Sequence, residues 1–197
     1  MKKAAIVVAM ILSVFSAFPN DEIAEAEKYV REHKCKNLAV NGAFELFGKK
    51  NQIPHWWPWK NEKSQGEANW GQNSGVKDSG AAVLTGGQIL ISQDINKVKP
   101  GEKYLIKVMV KKNTEAGKAS LAIRTKIKHK WNLNVKTVSI PAKLSETNKW
   151  ESVASVISVQ PGVDALCIML NASDLNGEDS EIIFDNVEVY KIKVPEK

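Results

Sequence analysis

Six tryptophans, against three tyrosines and five phenylalanines, are the unusual chemical resource of this 197-residue chain. Trp56, Trp57 and Trp59 fall within four residues, and Pro58 among them fixes the backbone as a rigid loop would need. Three indoles so close cannot all enter one core. At least one is therefore expected in solvent, where a rigid exposed aromatic is a binding candidate. Trp59 is the first choice, beside whichever of Trp56 and Trp57 is not buried. Trp70 lies in the amide-rich stretch Glu67-Ala68-Asn69-Trp70-Gly71-Gln72-Asn73, and Trp131 ends Lys128-His129-Lys130-Trp131. A flat indole can cover the apolar face of a sugar ring while nearby amides and cations bond its polar rim. Asn69, Gln72, Arg124 and Asn132 are the rim candidates. For Trp70 and Trp131 the competing expectation is cross-strand packing.

Other chemistries lack their residues. A glycosidase needs two carboxylates across the scissile bond, and no spacing here singles out such a pair. Tyr190-Lys191-Ile192-Lys193 has the outline of a lyase element, but no R-x-E-x-R strand accompanies it. His33, His55 and His129 are scattered without an H-E-x-x-H, and G-x-S-x-G, P-loop and G-x-G-x-x-G patterns are missing. Asp174 to Asp179 lacks the acid spacing of a calcium loop and reads as a turn. Two cysteines make neither a disulfide scaffold nor a four-ligand zinc site. Cys167 alternates with Val163, Ala165 and Met169 and reads either as a buried free thiol or, in an exported chain, as a disulfide partner of Cys35.

The chain opens with an address. Lys2 and Lys3 precede fifteen uncharged residues, Ala4 to Phe18, the pattern of a secretory signal peptide over residues 1–17. The run is short for a spanning helix. A second small-residue site, Ala24-Glu25-Ala26, would allow cleavage as late as residue 26. The formal +6 becomes +4 after the earlier cut (26 basic, 22 acidic) or +7 after the later one (26 basic, 19 acidic). The expected location is secreted, periplasmic or cell envelope, with no membrane contact after cleavage. Export also argues against nucleic acid as the partner of a basic, Trp-bearing chain. Residues 18–36 read as a short helix or helical linker, with Glu27 and Arg31 at salt-bridge spacing.

From residue 37 to 193 no long segment keeps a 3.6-residue period. Short Val-, Ile- and Thr-rich runs are separated by turn residues, giving expected strands at 38–47, 80–85, 88–96, 102–112, 118–130, 133–140, 149–159, 163–171 and 181–192. Strands without intervening helices predict an all-β, two-sheet antiparallel β-sandwich with jelly-roll topology. In the run 121–130, Arg124, Lys126, Lys128 and Lys130 alternate away from Leu121, Ile123, Thr125 and Ile127. That cationic side is either a solvated sheet face or a groove for acidic ligands.

The order of landmarks resembles the family 4/9-type carbohydrate-binding modules of bacterial extracellular glycan-degrading systems. The carrying pieces are Asn37-Leu38-Ala39-Val40-Asn41-Gly42-Ala43-Phe44-Glu45, then Pro54-His55-Trp56-Trp57 and Ser92-Gln93-Asp94-Ile95. Lys99-Pro100-Gly101-Glu102-Lys103-Tyr104, Asn148-Lys149-Trp150-Glu151 and Gln160-Pro161-Gly162 follow. Ile183-Phe184-Asp185-Asn186-Val187-Glu188-Val189 closes the set. The resemblance implies that Trp150 and one of Trp56 and Trp57 are structural. It also implies a structural Ca²⁺ between the first and last strands, held by Glu45 and Asp185 with backbone carbonyls near Ala43.

The combined expectation is a secreted, non-catalytic module binding polysaccharide or oligosaccharide through exposed tryptophans, working beside a glycoside hydrolase. The alternatives are a structural or adhesive envelope sandwich that binds protein, and a small jelly-roll polysaccharide lyase or glycosidase.

Overall fold

The computed structural model describes residues 20–132, 137–177 and 179–193. The leader read over residues 1–17 lies outside them, as does the start of the strand read over 133–140. The helix α1 (Asn20–His33) is followed by the short strands β1 (Trp57–Trp59), β2 (Glu67–Gly71) and β3 (Ala81–Thr85). Next come β4 (Ile89–Asn96), β5 (Lys103–Lys112), β6 (Lys118–Ile127) and β7 (Lys130–Trp131). β8 (Val138–Pro141), β9 (Glu151–Ser158), β10 (Ala165–Ser173) and β11 (Glu181–Ile192) complete the chain. They form two antiparallel sheets, one ordered β1-β4-β10-β6-β7 with β8 also beside β6, the other β2-β3-β11-β5-β9. This is the β-sandwich with jelly-roll topology that the strand spacing predicts.

Period-two alternation builds the core. Ile89, Ile91 and Ile95 of β4, Leu166, Ile168 and Leu170 of β10, and Leu121 and Ile123 of β6 point inward from one sheet. Tyr104, Ile106, Val108 and Val110 of β5, with Ile182, Phe184, Val187 and Val189 of β11, meet them from the other.

The outer side of the five-stranded sheet is closed. Asp21 and Glu22 in the first turn of α1, and Arg31 and His33 in its last, complement the helix dipole. Ile23, Ala26 and Val30 fall on one helical face and pack on Leu105, Val156 and Ile192. Glu27 bridges Lys107 of β5 at 2.6 Å, and Glu22 lies 3.5 Å from Lys103. Glu27 is thus spent on the sheet rather than on Arg31, and the helix's own i,i+4 pair is Lys28–Glu32 at 3.8 Å. Further along the same side, Trp150 covers Ala81, Val83 and Ile183, with Lys111 4.7 Å above its ring.

Three strand readings need correction. Residues 38–47 form turn and coil: only Leu38 N–H to Val189 C=O and Val187 N–H to Gly42 C=O (2.8 Å each) join them to β11 by backbone, and the Asn37 side chain adds bonds from Val189 N–H (2.9 Å) and to Val187 C=O (3.0 Å). Positive φ at Asn41 and Phe44 then coils the segment. The run 118–130 ends at Ile127, where Lys128 and His129 take left-handed φ and reverse the chain into β7. The edge strands β1 and β2 have no counterpart among the expected strands, since Trp57-Pro58-Trp59 and Glu67-Ala68-Asn69-Trp70-Gly71 carry Pro, Gly and polar residues.

The turn into β5 carries a charge lock. Glu102 accepts from Lys99 N–H (2.8 Å), the Tyr104 hydroxyl (2.7 Å) and the Lys191 ammonium. Burial pushes its carboxyl up, but these three donors outweigh it and hold the group at about 2. The folded value lies below the unfolded one of about 4.3. The resulting stability is complete above that unfolded value and is lost as pH falls toward 2. Glu102→Gln is expected to lower stability at pH 7 by roughly 1–2 kcal/mol, allowing for the exposed Lys191. It should also flatten the fall in melting temperature between pH 4.5 and 2; curves that overlay those of the wild type would refute the assignment.

Candidate functional site

Strand register decides which side chains share the outer side of the six-stranded sheet, since directly paired residues face the same way. Trp59 pairs with Leu90, and the row continues through Asn171 and Ser120. Trp57 starts the next row, through Ser92, Met169 and Ala122. A third holds Asp94, Cys167 and Arg124, and a fourth Asn96, Ala165, Lys126 and Trp131. Trp57 and Trp59 stand on one edge, 61% and 57% exposed, and Trp131 on the opposite edge, 44% exposed. Four strand steps separate these edges, roughly 19 Å. The floor between them carries Ser92, Ser120, Ala122, Cys167 and Asn171, with the longer apolar Leu90 and Met169 among them. Exposed indoles thus flank a floor of mixed polar and apolar side chains on this face.

Local chemistry fixes the indoles. Pro58 has no N–H to give, which suits an edge strand, and alternation around it points Trp57 and Trp59 to the same side. Trp56, one residue earlier, turns inward; it is 4% exposed, its ring 5.4 Å from Phe44, and its N–H donates to Asn41 C=O (3.3 Å). Asn41 also binds Leu46 N–H and the Leu46 and Pro54 carbonyls. Buried Gln93 of β4 accepts from Val40 N–H and donates to the Val40 and His55 carbonyls, at 2.8, 2.8 and 3.0 Å. Together these bonds staple the loop that feeds β1.

The far corner is cationic. Arg124 lies 4.7 Å and Lys126 4.4 Å from the Trp131 ring centre, and Lys126 bridges Asp94 at 2.5 Å. Burial, then the Asp94 charge, push the Cys167 thiol up to about 12, so it is no nucleophile. Cys35 follows α1 on the other side of the sandwich, and both cysteines are free. The expected line of four cations is shorter than the alternation suggests. The reversal at 128–129 sets Lys130 opposite Ile127 instead of in line with Lys126.

The remaining candidates lie elsewhere. Trp70 belongs to β2 in the other sheet, its N–H given to Phe44 C=O (2.7 Å) and its ring centre 4.8 Å from that of Phe47, tilted by 30°. Asn69, on the same strand, donates to Glu67 (3.3 Å), and Gln72 sits in the turn beyond. Asn132 is 7% exposed, with its backbone N–H on Thr125 C=O (3.0 Å), so it is no rim residue. Ser92, Ser120 and Asn171 take the floor positions that the amides near Trp70 do not reach. Their signal was the alternation within 88–96, 118–130 and 163–171.

Asp185 is fully buried. Its carboxylate accepts from Val76 N–H (2.8 Å), the Ser79 hydroxyl (2.9 Å) and Asn186 N–H (2.6 Å). Burial still pushes it above the ordinary carboxylate range, and Glu45 adds to that rise. Gly75 is needed here, because a Cβ would lie 2.3 Å from Gly80 C=O and 2.7 Å from the carboxylate. Among the described residues no three His, Cys, Asp or Glu side chains converge.

Three solved structures share the architecture. The enzymatically active domain of tailspike protein 4 from bacteriophage CBA120 aligns with a TM-score of 0.63 and 20% identity, over 79% of this chain and 21% of its own. This chain thus spans about a fifth of that protein. TmCBM61, solved with β-1,4-galactotriose, aligns at 0.58 and 13% identity, over 79% of this chain and 99% of its own. The CBM22-1 xylan-binding domain of Paenibacillus barcinonensis Xyn10C aligns at 0.55 and 13%, over 82% and 97%. No curated protein matches the chain. The model of the carbohydrate-binding domain family 4/9 matches residues 36–176, which cover most of the sandwich and the open tryptophan face. The chain belongs to that family of carbohydrate-binding domains.

Proposed function

We propose that this chain is a secreted, non-catalytic module that holds polysaccharide on the outer side of its six-stranded sheet, stacking sugar rings on Trp57 and Trp59. The observation that carries the reading is the pair of exposed indoles, set in register beside a floor of mixed polar and apolar side chains on the one sheet side that α1 and Trp150 leave open. Ser92, Ser120 and Asn171 supply hydroxyl and amide partners for the sugar rim. Asp94 is the one acid in the paired rows of this face, and it is tied to Lys126, so those rows offer no second carboxylate for a glycosidase pair. A glycoside hydrolase is the expected working partner. Retardation in gels loaded with β-1,4-galactan or xylan, without new reducing ends, is the expected result. Turnover of either glycan would overturn the non-catalytic reading.

The donor set around Asp185 fits Ca²⁺ in kind, all hard oxygen: the Asp185 and Glu45 carboxylates, backbone carbonyls near Ala43 and the Ser79 hydroxyl. Bound there, the ion would supply charge balance for a buried carboxylate and join the 41–45 turn to β11. At a hundredfold excess over its Kd it would add about 2.7 kcal/mol, a rise in Tm of roughly 5–10 °C relative to chelator. Equal melting temperatures in Ca²⁺ and chelator, or an Asp185→Asn variant that keeps the difference, would remove the site.

A further inference from the structure

The groove is chemically lopsided. Trp57 and Trp59 face an uncharged floor of Leu90, Ser92, Ser120 and Asn171, whereas the opposite corner holds Arg124, Lys126 and Trp131. Lys126 is neutralised by Asp94, the only acid in those rows. Among the described residues no carboxylate pairs with Arg124, whose single close partner is the Trp131 ring at 4.7 Å. An arginine on a sheet floor has five N–H donors in a planar fork, and indole stacking orients that fork without using its donors. Its neighbours on this face, Ala122 on its own strand and Cys167 across from it, are short side chains. Lys128 in the β6–β7 turn and Lys130 at the start of β7 are both exposed and add positive potential at the same end of the sheet.

We propose that the Arg124–Trp131 corner is a subsite for an anionic substituent on a sugar ring, a uronate carboxylate or a sulfate ester, gripped by the Arg124 fork. The proposal rests on the open face being the glycan site, and it names the class of glycan. A carboxylate or sulfate presents two oxygens to the guanidinium, the geometry in which charge-assisted pairs are strongest. A neutral sugar has no charged oxygen pair to offer that fork. Four residues along the strands and three strand steps across separate the Trp59 row from Arg124, roughly 20 Å. One ligand touching both ends is therefore an acid-bearing oligosaccharide, and free galacturonate is expected to bind poorly.

The test compares retention on polygalacturonate and glucuronoxylan with their carboxyl-reduced neutral forms, with κ-carrageenan as the sulfate arm. Wild type should prefer at least one anionic glycan over its neutral counterpart by tenfold or more at low salt, and the preference should shrink in 0.5 M NaCl. Arg124→Gln should bring the ratio close to one, lowering retention on acidic glycan tenfold or more and on neutral glycan far less. Arg124→Lys, which keeps charge but loses the fork, should fall between. Preference for the uronates or for κ-carrageenan says which anion is read. Retention of neutral glycans with no acid preference removes this inference and leaves the Trp57/Trp59 site standing. Loss of Arg124→Gln binding to neutral and acidic glycans alike also removes it, since the arginine would then only support the sheet. No retention of any glycan by wild type removes both proposals.

Discussion

Alanine at both Trp57 and Trp59 is expected to weaken glycan binding by about two orders of magnitude while leaving the melting temperature within about 2 °C of wild type. Each indole is more than half exposed and stands on an edge strand, so the fold loses little when it goes. A sugar ring laid on an indole buries apolar surface from both partners and gains the directional attraction of the aromatic face. Together these are worth about 1–2 kcal/mol per ring, or roughly 5- to 30-fold. The two rings sit on the same side of β1 two residues apart, roughly 7 Å, near enough to serve one chain. Affinity electrophoresis and thermal denaturation of the same preparations give both readouts. Unchanged affinity would remove the two rings from the site, and a large fall in Tm would return them to the core.

The neighbouring residue carries the opposite expectation. Trp56→Ala should cost about 3–5 kcal/mol, because it opens a large cavity beside Phe44 and Ile53 and strands the Asn41 carbonyl. Against a total stability of about 5–15 kcal/mol this is severe, a fall in Tm of roughly 6–20 °C. Trp56→Phe, which restores most of the ring but not the N–H donor, should recover much of the loss. A Trp56→Ala variant that melts within 2 °C of wild type would show that the loop is held by Gln93 and Asn41 alone. The contrast between adjacent tryptophans separates a packing role from a binding one within a single dipeptide.

Much of this was legible in the residues, for identifiable physical reasons. Long strands with strict alternation, such as Lys103–Lys112 and Glu181–Ile192, declare themselves because one face must be apolar. That three indoles cannot share a core follows from crowding, and the chain resolves it by burying Trp56 and exposing Trp57 and Trp59. Which other residues join them was not legible, because it depends on pairing between strands far apart in sequence. Asn171 and Ser120 meet Trp59 only through the register of three strands, whereas Asn69 and Trp70, nearer in sequence, fold into the other sheet. Short edge strands carry too few residues to show a period. Residues 38–47 have strand composition without strand backbone, joined to β11 by isolated backbone bonds and the Asn37 side chain.

The packing of α1 gives the molecule a front and a back. The described chain starts on the five-stranded sheet, through α1, and ends there, with Ile192 under the same helix. Anything joined at either end of the described chain thus attaches behind the tryptophan face. On the proposed reading, a module mounted this way would lay its tryptophan face on a glycan while anything joined to it pointed into solvent. Docking and attachment would then not compete for the same surface.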